Sequence, residues 1–198
     1  SERLSAMWKQ PVIIENKPGA NTAVAAQQVA RMAPNGYNLF VVMDVTMVLN
    51  PLLMKSISYS VSEFAPITLL SKNTSLLTVH VDGPKSVQEL VALGRANPGK
   101  LNFGAGIITT RLAGELFNKE SGINVQYVPF QGSPPTVQAL LSKSVDYIVD
   151  GQASSLPLIQ SGQFRALAKM NDAPVPALPH LKPLSLEIGA PALEAMAL

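Results

Sequence analysis

Cysteine is absent from this 198-residue chain, which excludes disulfides, thiolate zinc sites and cysteine nucleophiles together. Charge is sparse. Only 14% of residues are charged, against about a quarter in an average protein, and 15 basic side chains face 13 acidic ones without forming a basic block, a net charge of +2, which leaves nucleic-acid binding unsupported. Apolar runs are short, because "NLFVVM" (38–43) and "ITLLS" (67–71) are strand-length rather than the roughly 20 residues that cross a bilayer. The only two histidines, His80 and His180, stand in a strand-like run and a proline-rich tail. Neither has a carboxylate at metal-motif spacing, and no Gly-x-Ser-x-Gly elbow is present. No cofactor, metal ligand or catalytic residue is therefore expected, although serines are numerous and a triad is defined by geometry rather than by motif. The opening "SERLSAMWKQ" has neither an initiator methionine nor an apolar signal core, so a targeting segment is expected to have been removed or left out.

What is present is a 47% hydrophobic composition, enough to build a core, and a regular punctuation of strands and helices. Residues 3–9 read as a short helix. "PVIIEN" (11–16), "YNLFVVMD" (37–44), "FAPITLLSKN" and "SLLTVHV" read as extended runs, and a helix from Thr22 ends at "APNGY". Between them, 45–65 offers a short helix or turn. Ser86 with Glu89 three residues later predicts a capping box opening the helix "VQELVALGRAN". Strand "KLNFGAG", helix "TTRLAGELFNKES" closed by Gly122, strand "NVQYVPF", helix "PTVQALLSKS", strand "VDYIVDG", short helix "SSLPLIQSG" and strand "FRALAKM" follow in turn. Such alternation predicts a mainly parallel α/β sheet. Trp8 and the methionines read as core, and "NTS" (73–75) matches a glycosylation sequon by pattern only.

In an open α/β sheet, ligands lie at the carboxyl ends of strands, where loops meet helix N-termini. Three loops qualify: "MDVTM" (43–47), "GAGIITTR" (104–111) and "DGQASS" (150–155). The second lacks the third glycine of a dinucleotide loop and the Gly-Lys-Ser/Thr of a P-loop. What it retains is a helix N-terminus with free N–H groups and the hydroxyls of Thr109 and Thr110, a general anion site suited to carboxylate or phosphate. The plain alternative is that Gly104 and Gly106 only make a tight turn. Arg111, a cation at the positive end of the helix dipole, calls for a bound anion, for Glu115 one turn on, or for exposure to water. Asp150 reads as a cap for the helix after it or as a partner for a ligand hydroxyl or amine. Asp44, with Thr46 beside it, poses the same question.

The ordered blocks "PVIIENKPGA", "APNGYNLFV", "LNPLLMKSISYSVSEFAPITLL", "KSVQELVALGRANPGKLNFGAG", "TTRLAGELF", "YVPFQGSPP", "ALLSKSVDYIVDG" and "FRALAKMNDAPVPALPHLKPLSLEIG" together resemble the substrate-binding proteins of tripartite tricarboxylate transporters, the Bug family, from about Leu4 to Leu198. The resemblance implies a periplasmic-binding-protein-like, type II α/β fold with two lobes and mixed, mainly parallel sheets. The first lobe would take residues 1–70, completed in part by 170–198, and the second 71–169. Family members also begin with a strand and a ligand-clasping glycine-rich loop and end with further helices, so the first lobe is expected to be incomplete. The implied role is that of a periplasmic receptor, not an enzyme, which closes over a small carboxylate and delivers it to membrane permease subunits, with a monomer expected and no nucleic acid involved. Carried over by position, the ligand contacts are Gly104, Ala105, Gly106, Ile107, Ile108, Thr109 and Thr110, then Asp44, Val45 and Thr46, then Gly132 and Ser133, with Asp150 at the wall of the cleft. A small α/β enzyme acting on an acyl or phosphoryl substrate, and a receptor presenting a bound acid to a signalling partner, are the alternatives.

Overall fold

The computed structural model describes residues 1–71 and 74–191, and Asn73 of the sequon lies outside them. The chain divides into two compact units, Ser1–Ile67 and Thr68–Leu198.

The first unit holds helices α1 (Glu2–Trp8) and α2 (Ala23–Ala30), and a π-helical turn, Val45–Leu49, that runs into α3 (Asn50–Leu53). Its small core gathers Ala23, Ala26 and Tyr59, with Phe40, Met54, Ile57 and Phe64 against them. The extended runs expected at 11–16 and 37–44 and the described part of 64–73 form no strand among the described residues. A strand exists only as one side of a hydrogen-bonded ladder, and these segments have none. Their apolar side chains stand in the open instead: Ile13 is 83% exposed and Val41 76%. Trp8, expected in the core, is exposed as well.

The second unit is built on one five-stranded sheet: β1 (Ser75–His80), β2 (Asn102–Ala105), β3 (Gln126–Pro129), β4 (Tyr147–Gly151) and β5 (Phe164–Lys169), in the order β3-β2-β4-β1-β5. β2 runs parallel to β3 and β4, whereas β1 is antiparallel to both β4 and β5. The sheet is therefore mixed: two neighbouring pairs are parallel and two antiparallel, and four of the five strands point the same way, β1 alone running against them. The helices are α4 (Val87–Ala96), α5 (Ile108–Ser121), α6 (Ser133–Leu141), α7 (Gln152–Gln160) and α8 (Leu184–Ile188).

Both faces of the sheet are covered. Leu77, Val79, Phe103, Ala105, Tyr147 and Val149 point to one face, where Val87 and Leu90 of α4, Ala113 and Phe117 of α5 and Leu184 of α8 meet them. Ile148 points to the other, against Ala139 and Leu140 of α6 and Leu158 and Ile159 of α7. The period-2 alternation of strand side chains assigns these sets. Asp150, two residues after Ile148, therefore lies on the α6–α7 face.

In the described part of the proline-rich tail, Val175 and Leu181 pack on Leu76 of β1, and Pro183 bridges Lys169 of β5. An apolar run interrupted by prolines cannot build a ladder of its own, but it can cover a sheet that is already formed. The capping box at α4 is also half as expected. Ser86 Oγ accepts from the Glu89 N–H, but Glu89 Oε2 accepts from the Lys85 N–H and not from that of Ser86.

Candidate functional site

β2, β3 and β4 all end at the same edge of the sheet, and each leads into a helix. The loops there are tied to one another. The Gly132 N–H donates to the Gly106 carbonyl at 3.0 Å, the Phe130 N–H to the Ala105 carbonyl at 3.1 Å, and Thr136 Oγ1 to the Gly132 carbonyl at 2.8 Å. Gly106 makes this closeness possible: a Cβ on it would lie 2.2 Å from the Gly132 carbonyl oxygen and 2.7 Å from Thr136 Oγ1. Gly132 itself has φ 93°, a conformation that glycine adopts without strain. The glycines of "GAG" and "QGS" are thus two halves of one backbone junction. Thr136 is the residue that sequence reasoning missed, and its spacing of four from Gly132 was the available signal.

Beyond the junction, Ser133 Oγ donates to Asp150 Oδ1 at 2.6 Å, joining the start of α6 to the end of β4. The Asp150 carboxyl is fully buried, and its Oδ2 has no partner among the described residues. Burial pushes it above the usual carboxylate range, and the hydrogen bond from Ser133 pulls it part of the way back. The Oγ of Ser155, in the first turn of α7, is likewise buried and without a partner among the described residues.

Three helix N-termini meet this edge, and they differ chemically. α6 begins Ser133-Pro134-Pro135, and proline has no N–H to offer. α7 follows Asp150 directly, so a carboxyl group already faces the positive end of its dipole, and the Gln152 N–H is taken by the Thr74 carbonyl. α5 is open. Ile107 at its N-cap is extended and caps nothing with its side chain, and no backbone carbonyl among the described residues receives the N–H groups of Ile108, Thr109 and Thr110. Fourteen residues of aligned peptide dipole stand behind those donors, an arrangement that favours an anion. Of the two threonine hydroxyls, Thr110 Oγ1 donates to the Ile107 carbonyl at 3.0 Å and is buried, whereas Thr109 is half-buried and bonds none of the described residues.

Arg111 is compensated within its own surroundings. Its Nε meets Glu115 Oε1 at 2.8 Å, and its guanidinium lies 4.6 Å from the centre of the Tyr127 ring. Gly104 to Thr110, Gly132, Ser133 and Asp150 are therefore brought together on one edge of the second unit. Asp44, Val45 and Thr46 lie in the first unit, where their polar groups are used locally. Asp44 Oδ1 accepts from the Val45 N–H, Thr46 shares a hydrogen bond with the Thr22 hydroxyl, and the Tyr59 hydroxyl donates to the Thr46 carbonyl.

The histidines stand apart. His80 ends β1 at the opposite edge of the sheet, where its Nδ1 accepts from the Asp82 N–H. His180 lines a cavity of about 420 Å³ beside the edge strand β5, together with Lys85, Arg165 and Lys182.

Comparison with known proteins agrees with this architecture. The chain is 32% identical over 184 residues to a UPF0065 protein of Bordetella pertussis, covering 91% of this chain and 57% of that protein. It is 30% identical over 190 residues to BugT of the same organism, covering 92% and 57%. The chain thus spans little more than half the length of these curated relatives. Among solved structures it is similar to a Rhodopseudomonas palustris protein with adipate (29% identity, TM-score 0.86, 96% of this chain and 64% of that one) and to the periplasmic binding protein BugD (27%, 0.84, 98% and 65%). It is also similar to MatC of Rhodopseudomonas palustris with bound malate (27%, 0.81, 96% and 66%). The matching family model is that of a receptor, and BugD is a periplasmic binding protein. The model of the tripartite tricarboxylate transporter family receptor matches residues 1–197, and the chain belongs to that family.

Proposed function

We propose that this chain carries the anion-binding part of a periplasmic solute receptor that takes a small carboxylate, a dicarboxylate, an aromatic acid or an amino acid, and delivers it to the permease subunits of a tripartite tricarboxylate-type transporter. The observation that carries the reading is the open N-terminus of α5: the N–H groups of Ile108, Thr109 and Thr110 meet no backbone carbonyl among the described residues, and neither a proline nor an acid stands in that first turn. Backbone N–H groups at a helix start hold a carboxylate without any catalytic group. Relatives of similar fold carry adipate and malate, which supports the ligand class. Gly104, Ala105 and Gly106 would shape the approach, Ile107 to Thr110 would supply the donors, and Gly132, Ser133 and Asp150 would form the adjoining wall.

Isothermal titration with a panel of carboxylates tests the reading. Saturable binding of at least one member is expected, together with its loss in Gly106→Ala, whose methyl group would strike the Gly132 backbone and displace the loop. Absence of binding across the panel, or undiminished affinity in a folded Gly106→Ala protein, overturns it. Co-purification with a permease, rather than with a sensor protein, is the outcome expected for a role in transport.

A further inference from the structure

The wall beside α5 has a polarity of its own. A serine hydroxyl has one hydrogen to donate and two lone pairs with which to accept, and Ser133 spends its hydrogen on Asp150 Oδ1. An ionised Asp150 can only accept, so Ser133 is left facing outward as an acceptor. Its neighbours reinforce this. Pro134 and Pro135 bring no N–H, the Gly132 N–H is used by the Gly106 carbonyl, and Thr136 turns its hydrogen to the Gly132 carbonyl. One side of the edge therefore offers the N–H groups of α5, and the adjoining side offers the Ser133 hydroxyl oxygen as an acceptor. The junction between Gly106 and Gly132 fixes the two sides next to each other.

Asp150 is poorly explained by stability alone. It is a fully buried carboxyl with one oxygen unpaired among the described residues, and burying such a group costs free energy.

We infer that Asp150 is a positioning residue for ligand selectivity: by holding Ser133 as an acceptor, it makes the site prefer a carboxylic acid that carries a hydroxyl or ammonium donor over the same carbon skeleton without one. This rests on the carboxylate reading above and adds a direction to it. The preferred ligand presents its carboxylate to the α5 N–H groups and its donor to Ser133 Oγ.

Titration of the protein with succinate and with malate, which differ by one hydroxyl, tests the inference. Malate is expected to bind about tenfold tighter, the ratio that a hydrogen bond of ordinary net strength supplies. In Asp150→Asn the amide can donate to Ser133 and release its hydrogen outward, so the ratio should collapse to within about threefold of one. Ser133→Ala, which leaves Asp150 in place, should collapse it too and guards against a folding defect in the first variant. A merely structural role for Asp150 would lower both affinities and leave their ratio intact. An unchanged ratio in both folded variants, or equal binding of the two acids by the unmodified protein, overturns the inference while leaving the carboxylate reading standing. Binding of neither acid by the unmodified protein overturns the inference, whereas the carboxylate reading falls only if no member of the wider panel binds.

Discussion

Asp150 and Asp44 pose the same question in the sequence, an acid just after an apolar run, and folding answers it differently. Asp44 stays exposed and holds the N–H of the next residue. Asp150 is sealed between β4 and the starts of α6 and α7. The difference has a measurable consequence. Because burial raises the carboxyl's folded-state pKa above its unfolded value, the folded protein holds the proton more firmly than the unfolded chain. Stability from this group is therefore full below the ordinary carboxylate range and declines as pH rises through the raised value. Asparagine has no such proton. The melting temperature of Asp150→Asn minus that of the unmodified protein should thus grow more positive from pH 4 to pH 7, measured by thermal denaturation at matched ionic strength. A difference that is flat or falls over that range would mean the carboxyl is not destabilised when ionised. Nothing in the sequence marks which of the two aspartates is buried, because the residues that enclose Asp150 come from α6 and α7 as well as its own strand.

At the level of elements, the helices of the second unit were legible and their reasons are local. Ser86 caps α4, Gly122 with φ 66° ends α5, and Glu115 sits one turn from Arg111. Gly114 was not legible. It reads as a flaw in the middle of α5, yet a Cβ there would lie 2.0 Å from the Phe103 ring, so the glycine is what lets the helix lie down on β2. Alanine would improve helix propensity by about 1 kcal/mol, whereas forcing a methyl group into a packed core costs about 1–3 kcal/mol or more. Since the close atoms belong to a ring that is itself buried, the second effect should win. Gly114→Ala is expected to lower the melting temperature by a few degrees, and an equal or higher value would show that the Phe103 ring yields without cost. The extended runs of the first unit teach the reverse lesson. "PVIIEN" and "YNLFVVMD" carry strand composition, but a ladder partner is a tertiary matter, and none is found for them among the described residues.

At the level of the molecule, the two units differ in how their backbone groups are satisfied. β1 is hydrogen-bonded on both sides, to β4 and β5, and buried along its middle. The segments 11–16 and 37–43 have no ladder and largely exposed side chains. Local opening free energy follows such differences. Hydrogen exchange followed by mass spectrometry should show peptides from 75–80 protected longest and peptides from 11–16 and 37–43 exchanging first. Comparable protection of 37–43 and 75–80 would mean that those segments are paired in solution.

The sequence by itself determined the alternation of helices and strands after residue 74, the strand-to-helix turn at "GAG", the lack of a nucleotide or nucleophile motif, and the family. Each of these rests on residues near one another in the chain, where spacing is a faithful record of geometry. Only the tertiary structure decided that β1 runs against its neighbours, that the proline-rich tail covers the second unit's sheet, that the start of α5 is free of prolines, acids and carbonyl partners among the described residues, and that Ser133 is held by Asp150. Those outcomes depend on groups as much as a hundred positions apart, such as Leu76 and Leu181, and no local pattern encodes which distant partner a side chain will meet.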